Sequence, residues 1–192
     1  MAHHYWSTLG LKGELVIDAT CGNGHDALIL AQLALTEDEG KLLLIDLQEE
    51  ALAQSKRRLQ EELSPKVLER IEIQHGCHST FPSTIEKGTV KLVVYNLGYL
   101  PGGDKSKTTT TTASLASIEN ALPLITSGGA LSITCYPGHP EGAAEEAAIL
   151  ELMTTLLPTE WSCCHHRWSN RKNSPSLILL QKACSQEPLR SK

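Results

Sequence analysis

The chain has 192 residues, 41% of them hydrophobic and 20% charged, with a formal net charge of −5. That length suits one domain with a full core and is short for two, and the acidic balance excludes a protein that coats nucleic acid through bulk charge. No apolar run approaches the roughly 20 residues of a membrane-spanning helix. The opening Met1-Ala-His-His-Tyr-Trp lacks the basic and apolar regions of a secretory leader. Cys21 lies in a glycine turn, Cys135 in an apolar run, and Cys163 and Cys164 are adjacent, a placement that suits thiols better than disulfides. A cytoplasmic protein with no membrane segment is expected.

In chain order, Glu14–Ala19 predicts a buried strand and Asp26–Leu35 a helix. Lys41–Asp46 is a second strand, and the helix over Glu49–Leu63 is stopped by Ser64-Pro65. Arg70–Gln74 and Val90–Asn96 are the third and fourth strands. Thr110–Thr126 reads as a helix broken near its end by Pro123, and Ser127-Gly128-Gly129 as a turn into a fifth strand, Ala130–Tyr136. Glu141–Leu157, rich in Ala, Glu and Leu, is a helix that Pro158 closes. Trp161–Arg167 and Ser176–Gln181 complete the strands, and the charged tail from Ser185 is expected to fray. Alternating strands and helices imply an α/β fold with a doubly wound, mostly parallel, seven-stranded Rossmann-like sheet. Only about ten residues separate the last two strands, too few for a crossover helix, so they should form an antiparallel hairpin. Residues 1–192 read as a single domain with its core over about 14–182.

The first strand runs through V-I-D-A-T-C-G-N-G-H-D, Val16 to Asp26, into a Gly-x-Gly turn and a helix. Such a turn brings backbone close to a nucleotide-like ligand at a helix N-terminus. Asp18 before the turn would repel a pyrophosphate and suits a cationic, amine-bearing ligand; S-adenosylmethionine carries both a sulfonium and an ammonium. Thr20, Gly22, Asn23, Gly24, His25 and Asp26 are the other candidate cofactor residues of this turn. Asp46, about 20 residues after the glycines, closes the second strand where an acid accepts ribose hydroxyls, with Gln48 beside it. A helix-capping acid is the competing reading. In a dinucleotide site the third glycine of G-x-G-x-x-G would stand where Ala27 is. His78, after the third strand, lies where such folds place an adenine contact, and a packing histidine fits as well. His75, Cys77 and His78 lack a second ligand pair for zinc, and Cys163 to His166 alternate across a strand, so no metal is expected.

The fourth strand ends in Asn96-Leu97-Gly98-Tyr99-Leu100-Pro101-Gly102-Gly103-Asp104-Lys105. Asn96 there can accept a hydrogen from a target amine, Tyr99 can stack on a planar base, and Gly98 borders the cofactor; Asp104 is a further acceptor unless Lys105 takes it. After the fifth strand, His139 is a candidate general base or a capping residue. Arg167, Trp168, Arg171, Lys172 and Asn173 gather positive charge around an aromatic ring, with Lys105 and Lys107 a smaller cluster. Either marks an RNA contact or a solvated loop.

Together D-A-T-C-G-N-G-H-D, the I-D-L-Q strand end, N-L-G-Y-L-P-G-G-D-K, Y-P-G-H-P-E-G and N-S-P-S-L resemble the small class I, S-adenosylmethionine-dependent methyltransferases grouped as rRNA methylases. Members of that family act as tRNA 5-(aminomethyl)-2-thiouridine methyltransferases of the MnmM type. The resemblance runs from about Val16 to Lys182, and its N-L-G-Y-L-P-G-G-D-K block is far more specific than the glycine turn. It implies methyl transfer from S-adenosylmethionine to the aminomethyl nitrogen of the wobble uridine. Asn96, Tyr99, Asp104 and His139 would then be catalytic, and Tyr99, Lys105 and the Arg167–Asn173 loop would meet the anticodon loop. Two departures stand out. Ile45-Asp46-Leu47-Gln48 replaces the usual Phe-Asp-Ile-Gln, and Asn173-Ser174-Pro175-Ser176 keeps one proline of Asn-x-Pro-Pro. A homodimer would enlarge the basic surface of so small a chain. The alternatives are an rRNA or small-molecule amine acceptor, an NAD-binding oxidoreductase, and a non-catalytic RNA-binding module.

Overall fold

The computed structural model describes residues 1–98, 110–171 and 173–184. The elements follow the order α1 (Ala2–Thr8), β1 (Leu15–Asp18), α2 (His25–Ala34), β2 (Lys41–Asp46), α3 (Glu49–Glu62), α4 (Pro65–Leu68), β3 (Ile71–His75), β4 (Val90–Asn96), α5 (Thr111–Ala121), β5 (Ile125–Cys135), α6 (Pro140–Thr155), β6 (Trp161–His166) and β7 (Ser176–Lys182). The seven strands form one sheet in the order β3-β2-β1-β4-β5-β7-β6. Pairing is parallel from β3 through β5 and antiparallel where β7 joins β5 and β6. The doubly wound sheet and the C-terminal hairpin are therefore as expected from sequence.

The apolar runs of the central strands are continuous because both faces of the sheet are covered, and successive side chains go to opposite cores. Ile17, Leu43, Ile45, Val93 and Tyr95 meet Ile118 of α5 and Ile149 of α6. Val16, Leu42, Leu44, Leu92 and Val94 meet Trp6 of α1, Leu30 of α2, and Leu52 and Leu59 of α3. Strand order reverses between β1 and β4, which opens a crevice at the carboxyl ends of those strands, the place where open α/β sheets bind ligands.

Three local readings need correction. Helix α1 has no counterpart among the predicted elements. The helix at Thr110 ends at Ala121, and Pro123 lies in a single 3-10 turn, Leu122–Leu124. Ser127-Gly128-Gly129 is not a turn before β5 but part of it, at a register shift that pairs Val90 with Ile125 and Leu92 with Ala130. Gly129 is required there, since a Cβ would stand 2.8 Å from the Lys91 carbonyl oxygen. Tyr99, Asp104, Lys105, Lys107, Lys172 and the tail from Ser185 lie outside the described residues.

Candidate cofactor and acceptor site

The loop between β1 and α2 is strapped to both neighbouring strands: Ala19 N–H donates to the Val94 carbonyl at 2.9 Å and Cys21 N–H to the Ile45 carbonyl at 3.1 Å. Asp46 then fixes its shape. The Oδ2 atom accepts from Gly22 N–H and Oδ1 from Gln48 N–H, each at 2.8 Å. Each carboxylate oxygen keeps a second lone pair for a ligand hydroxyl. From α3, Ser55 Oγ donates to the Gly22 carbonyl at 2.7 Å and Arg58 Nε to the Asn23 carbonyl at 2.9 Å. His25 also turns to Arg58, with Nε2 3.2 Å from its guanidinium, so it braces the loop as well as beginning α2.

Asp18 is buried at the end of β1, with Oδ1 accepting from Thr20 N–H at 3.2 Å. Its Oδ2 is buried and has no hydrogen-bond partner among the described residues, as do Asn23 Oδ1 and His78 Nδ1. Burial, and secondarily the charges of Asp26 and Asp46, hold the Asp18 carboxyl well above the usual carboxylate range, against the Thr20 hydrogen bond. Burial lowers the pKa of His78, opposed by the nearby Asp46 charge, and its ring meets Tyr95 edge-on at 6.1 Å. Buried polar atoms without partners call for a ligand that supplies them. Here the unmet atoms are mostly acceptors among three acids, which fits a cation rich in N–H and O–H donors and repels a pyrophosphate. S-adenosylmethionine fits: Asp18 would hold its cationic amine end, Asp46 its ribose, and His78 its adenine.

At the end of β4, Asn96 is anchored by its backbone N–H, which donates to Thr20 Oγ1 at 2.7 Å. The side-chain Nδ2 donates to Asp26 Oδ2 at 3.0 Å, and Asp26 Oδ1 lies 2.7 Å from His3 Nε2. A carboxylate only accepts, so this contact settles which end of the amide faces it: Nδ2 lies toward Asp26 and Oδ1 away from it. Tyr136, at the top of β5, is 40% exposed and lies against Gly98, where a Cβ would be 3.6 Å from its ring. Burial, then the Asp26 charge, raises its phenol pKa.

His139 is the N-cap of α6, its Nδ1 accepting from Gly142 N–H at 3.1 Å with Glu141 Oε2 3.3 Å away. Of the two roles open to it in the sequence, the structure shows the cap. Because β6 runs alongside β5's direction and β7 against it, the β6–β7 loop falls on the same edge of the sheet as the crevice. Arg167, Trp168, Arg171 and Asn173 are all exposed on it, and the Arg171 guanidinium lies 5.5 Å from the Trp168 ring centre. The loop abuts the β5–α6 connection, where a Cβ on Gly138 would be 3.5 Å from the Asn173 carbonyl oxygen.

Sequence reasoning missed Tyr136 and His3. Tyr136 carried a usable signal, an aromatic residue one place beyond a strand end in a ligand-facing layer. His3 carried none, because its partner Asp26 is distant in sequence.

The family model described as "Putative rRNA methylase" matches residues 42–182. The chain belongs to this family. A curated relative, the chloroplastic tRNA (mnm(5)s(2)U34)-methyltransferase of Arabidopsis thaliana, is 34% identical over 187 residues, 95% of this chain and 68% of its own. A Clostridium thermocellum protein described in the same terms as the family superposes with a TM-score of 0.86 at 28% identity, covering 94% of this chain and 95% of that one. A Streptococcus mutans protein described as a candidate methyltransferase, solved with S-adenosylhomocysteine, gives 0.80 at 27% identity with the same coverage. This rRNA methylase family member is an S-adenosylmethionine-dependent methyltransferase with the class I fold. Among its described residues no helix is long and apolar enough to cross a membrane.

Proposed function

We propose that this methyltransferase acts on the aminomethyl group of wobble 5-aminomethyl-(2-thio)uridine in the anticodon loop of tRNA. The observation that carries the reading is Asn96: its amide nitrogen is committed to Asp26, so its carbonyl oxygen is presented to an acceptor. An oxygen that accepts one N–H of an amine turns the nitrogen lone pair away from itself, and positioning of that kind supplies most of the rate in a displacement between aligned groups. Bound in the crevice, S-adenosylmethionine supplies an electrophilic methyl group. The curated relative's name gives the substrate class. Tyr136 and Trp168 offer aromatic faces for unstacked bases, while Arg167 and Arg171 offer charge for the backbone, the chemistry by which single-stranded loops are read. This reading also keeps the catalytic and substrate roles that the resemblance gives Tyr99, Asp104, Lys105 and Lys172, a homodimer that doubles the basic rim, and a cytoplasmic location.

The test is incubation with S-adenosylmethionine and tRNA carrying 5-aminomethyl-2-thiouridine, followed by nucleoside mass spectrometry, with rRNA and free alkylamines as parallel acceptors. Methylated aminomethyl-thiouridine is expected. A product formed only on rRNA or on the free amine would overturn the tRNA assignment. In the same assay Asn96→Ala should abolish turnover while keeping cofactor affinity, and normal turnover would remove Asn96 from the mechanism.

A further inference from the structure

We propose that the N-terminal helix α1 completes the acceptor site, with His3 as the positioning residue that locks Asp26 and, through it, the amide of Asn96. The inference rests on the reading of the acceptor as an amine. Helix α1 is only seven residues long, has no side-chain N-cap bond, and is too short to persist alone. What holds it is Trp6, which is 1% exposed, packs in the core shared with α2 and α3, and donates Nε1–H to Ser132 Oγ of β5 at 2.9 Å. His3 stands one turn earlier on the same helix face, its ring centre 4.8 Å from that of Trp6. From there its Nε2 reaches Asp26 Oδ1 at 2.7 Å, while Asp26 Oδ2 takes Asn96 Nδ2 at 3.0 Å.

The geometry is that of a lock. An Asp side chain is broadly two-fold about its last torsion, and so is an Asn. With a donor on each oxygen the carboxylate has one orientation, and the Asn96 amide facing it has one too. Remove His3, and Asp26 can rotate away and the amide can flip. A flipped Asn96 presents N–H groups to an amine whose own hydrogens need an acceptor, and the lone pair is no longer aimed. Neutral imidazole with its proton on Nε2 and imidazolium both donate to Asp26, so the lock does not depend on the charge of His3.

Full-length His3→Ala and His3→Gln enzymes test it, since the Gln side-chain nitrogen reaches nearly where Nε2 stood. With aminomethyl-thiouridine tRNA, His3→Ala should lower kcat about ten- to a hundredfold, with the KM and Kd for S-adenosylmethionine unchanged and His3→Gln restoring most of the rate. The side-chain amide 15N–1H pair of Asn96, assigned by its absence in Asn96→Ala, should shift in His3→Ala and return in His3→Gln. That resonance needs no acceptor. If wild-type enzyme leaves the tRNA unmethylated the amine reading falls, and the amide pair alone decides the lock. Unshifted Asn96 resonances in His3→Ala, wild-type kcat in that variant, or equal losses in the Ala and Gln variants would each overturn it.

Discussion

Asp18 is costly for the empty fold, and in the proposed site it is the residue that would hold the cofactor's cationic end. The carboxyl is buried with one oxygen unpaired among the described residues, and its pKa is raised by burial and by Asp26 and Asp46. A carboxyl raised in the folded state favours folding below its unfolded pKa, and that contribution is lost as pH rises through the raised value. A cation bound beside it favours the ionised form, so cofactor binding expels the proton. Affinity for S-adenosylmethionine should therefore climb with pH until it passes the raised pKa and then level off. Asp18→Asn, which can still accept from Thr20 N–H, should melt higher than the wild type at alkaline pH without cofactor. It should bind on the order of ten- to a hundredfold more weakly, the worth of a charge-assisted hydrogen bond, with no pH dependence from this source. Calorimetric titrations across a pH series check this; a variant with wild-type affinity would remove Asp18 from the site. The two strand-end acids were legible in the sequence because their position and charge are local properties. The Asp26–Asn96–His3 chain was not, because hydrogen bonds among residues 3, 26 and 96 leave no periodicity to read.

At the scale of elements, what the sequence displayed well was anything with a repeating apolar pattern, which is why the seven strands and their hairpin were foreseeable. Helix α1 was invisible for the opposite reason: seven residues with one buried side chain, Trp6, make no stripe. The Gly128-Gly129 pair misled as punctuation, although the glycine is there because the β4 backbone comes too close for a side chain. Gly24 reads in the sequence as a place where a ligand can come close to backbone; in the structure the element that comes close is α3. With φ +78° it sits where a Cβ would be 2.7 Å from the backbone Cα of Ser55, so α3 presses directly on the cofactor loop. Gly24→Ala thus combines positive-φ strain with a backbone clash that no side-chain rotation relieves. The expected outcome is a loss of roughly 1–3 kcal/mol in denaturant-measured stability together with markedly weakened cofactor binding. Unchanged stability would show that α3 can retreat from the loop.

Over the whole molecule the net charge of −5 opposes an RNA partner, and three acids line the crevice itself. The sheet topology resolves this by separating the two tasks. The carboxyl ends of β1 and β2 and the first turn of α2 carry the acids that a cationic cofactor would meet, while the antiparallel hairpin β6–β7 carries Arg167 and Arg171 out to the rim on the same edge. A global field that repels RNA and a local patch that attracts it make binding depend on a few contacts near the site, and favour release once they are screened. If the two arginines each neutralise a phosphate, the double variant Arg167→Ala/Arg171→Ala should bind an anticodon stem-loop more weakly. The magnitude of its log K against log salt slope should fall by about 1.5 to 2. Affinity for S-adenosylmethionine should not move, because both residues lie on the β6–β7 loop and not on the β1–α2 loop that Asp46 holds. Fluorescence anisotropy of a labelled stem-loop across a KCl series reads the slope directly. An unchanged slope would place the phosphate contacts elsewhere and reduce this loop to an exposed turn in which Arg171 does no more than cover Trp168.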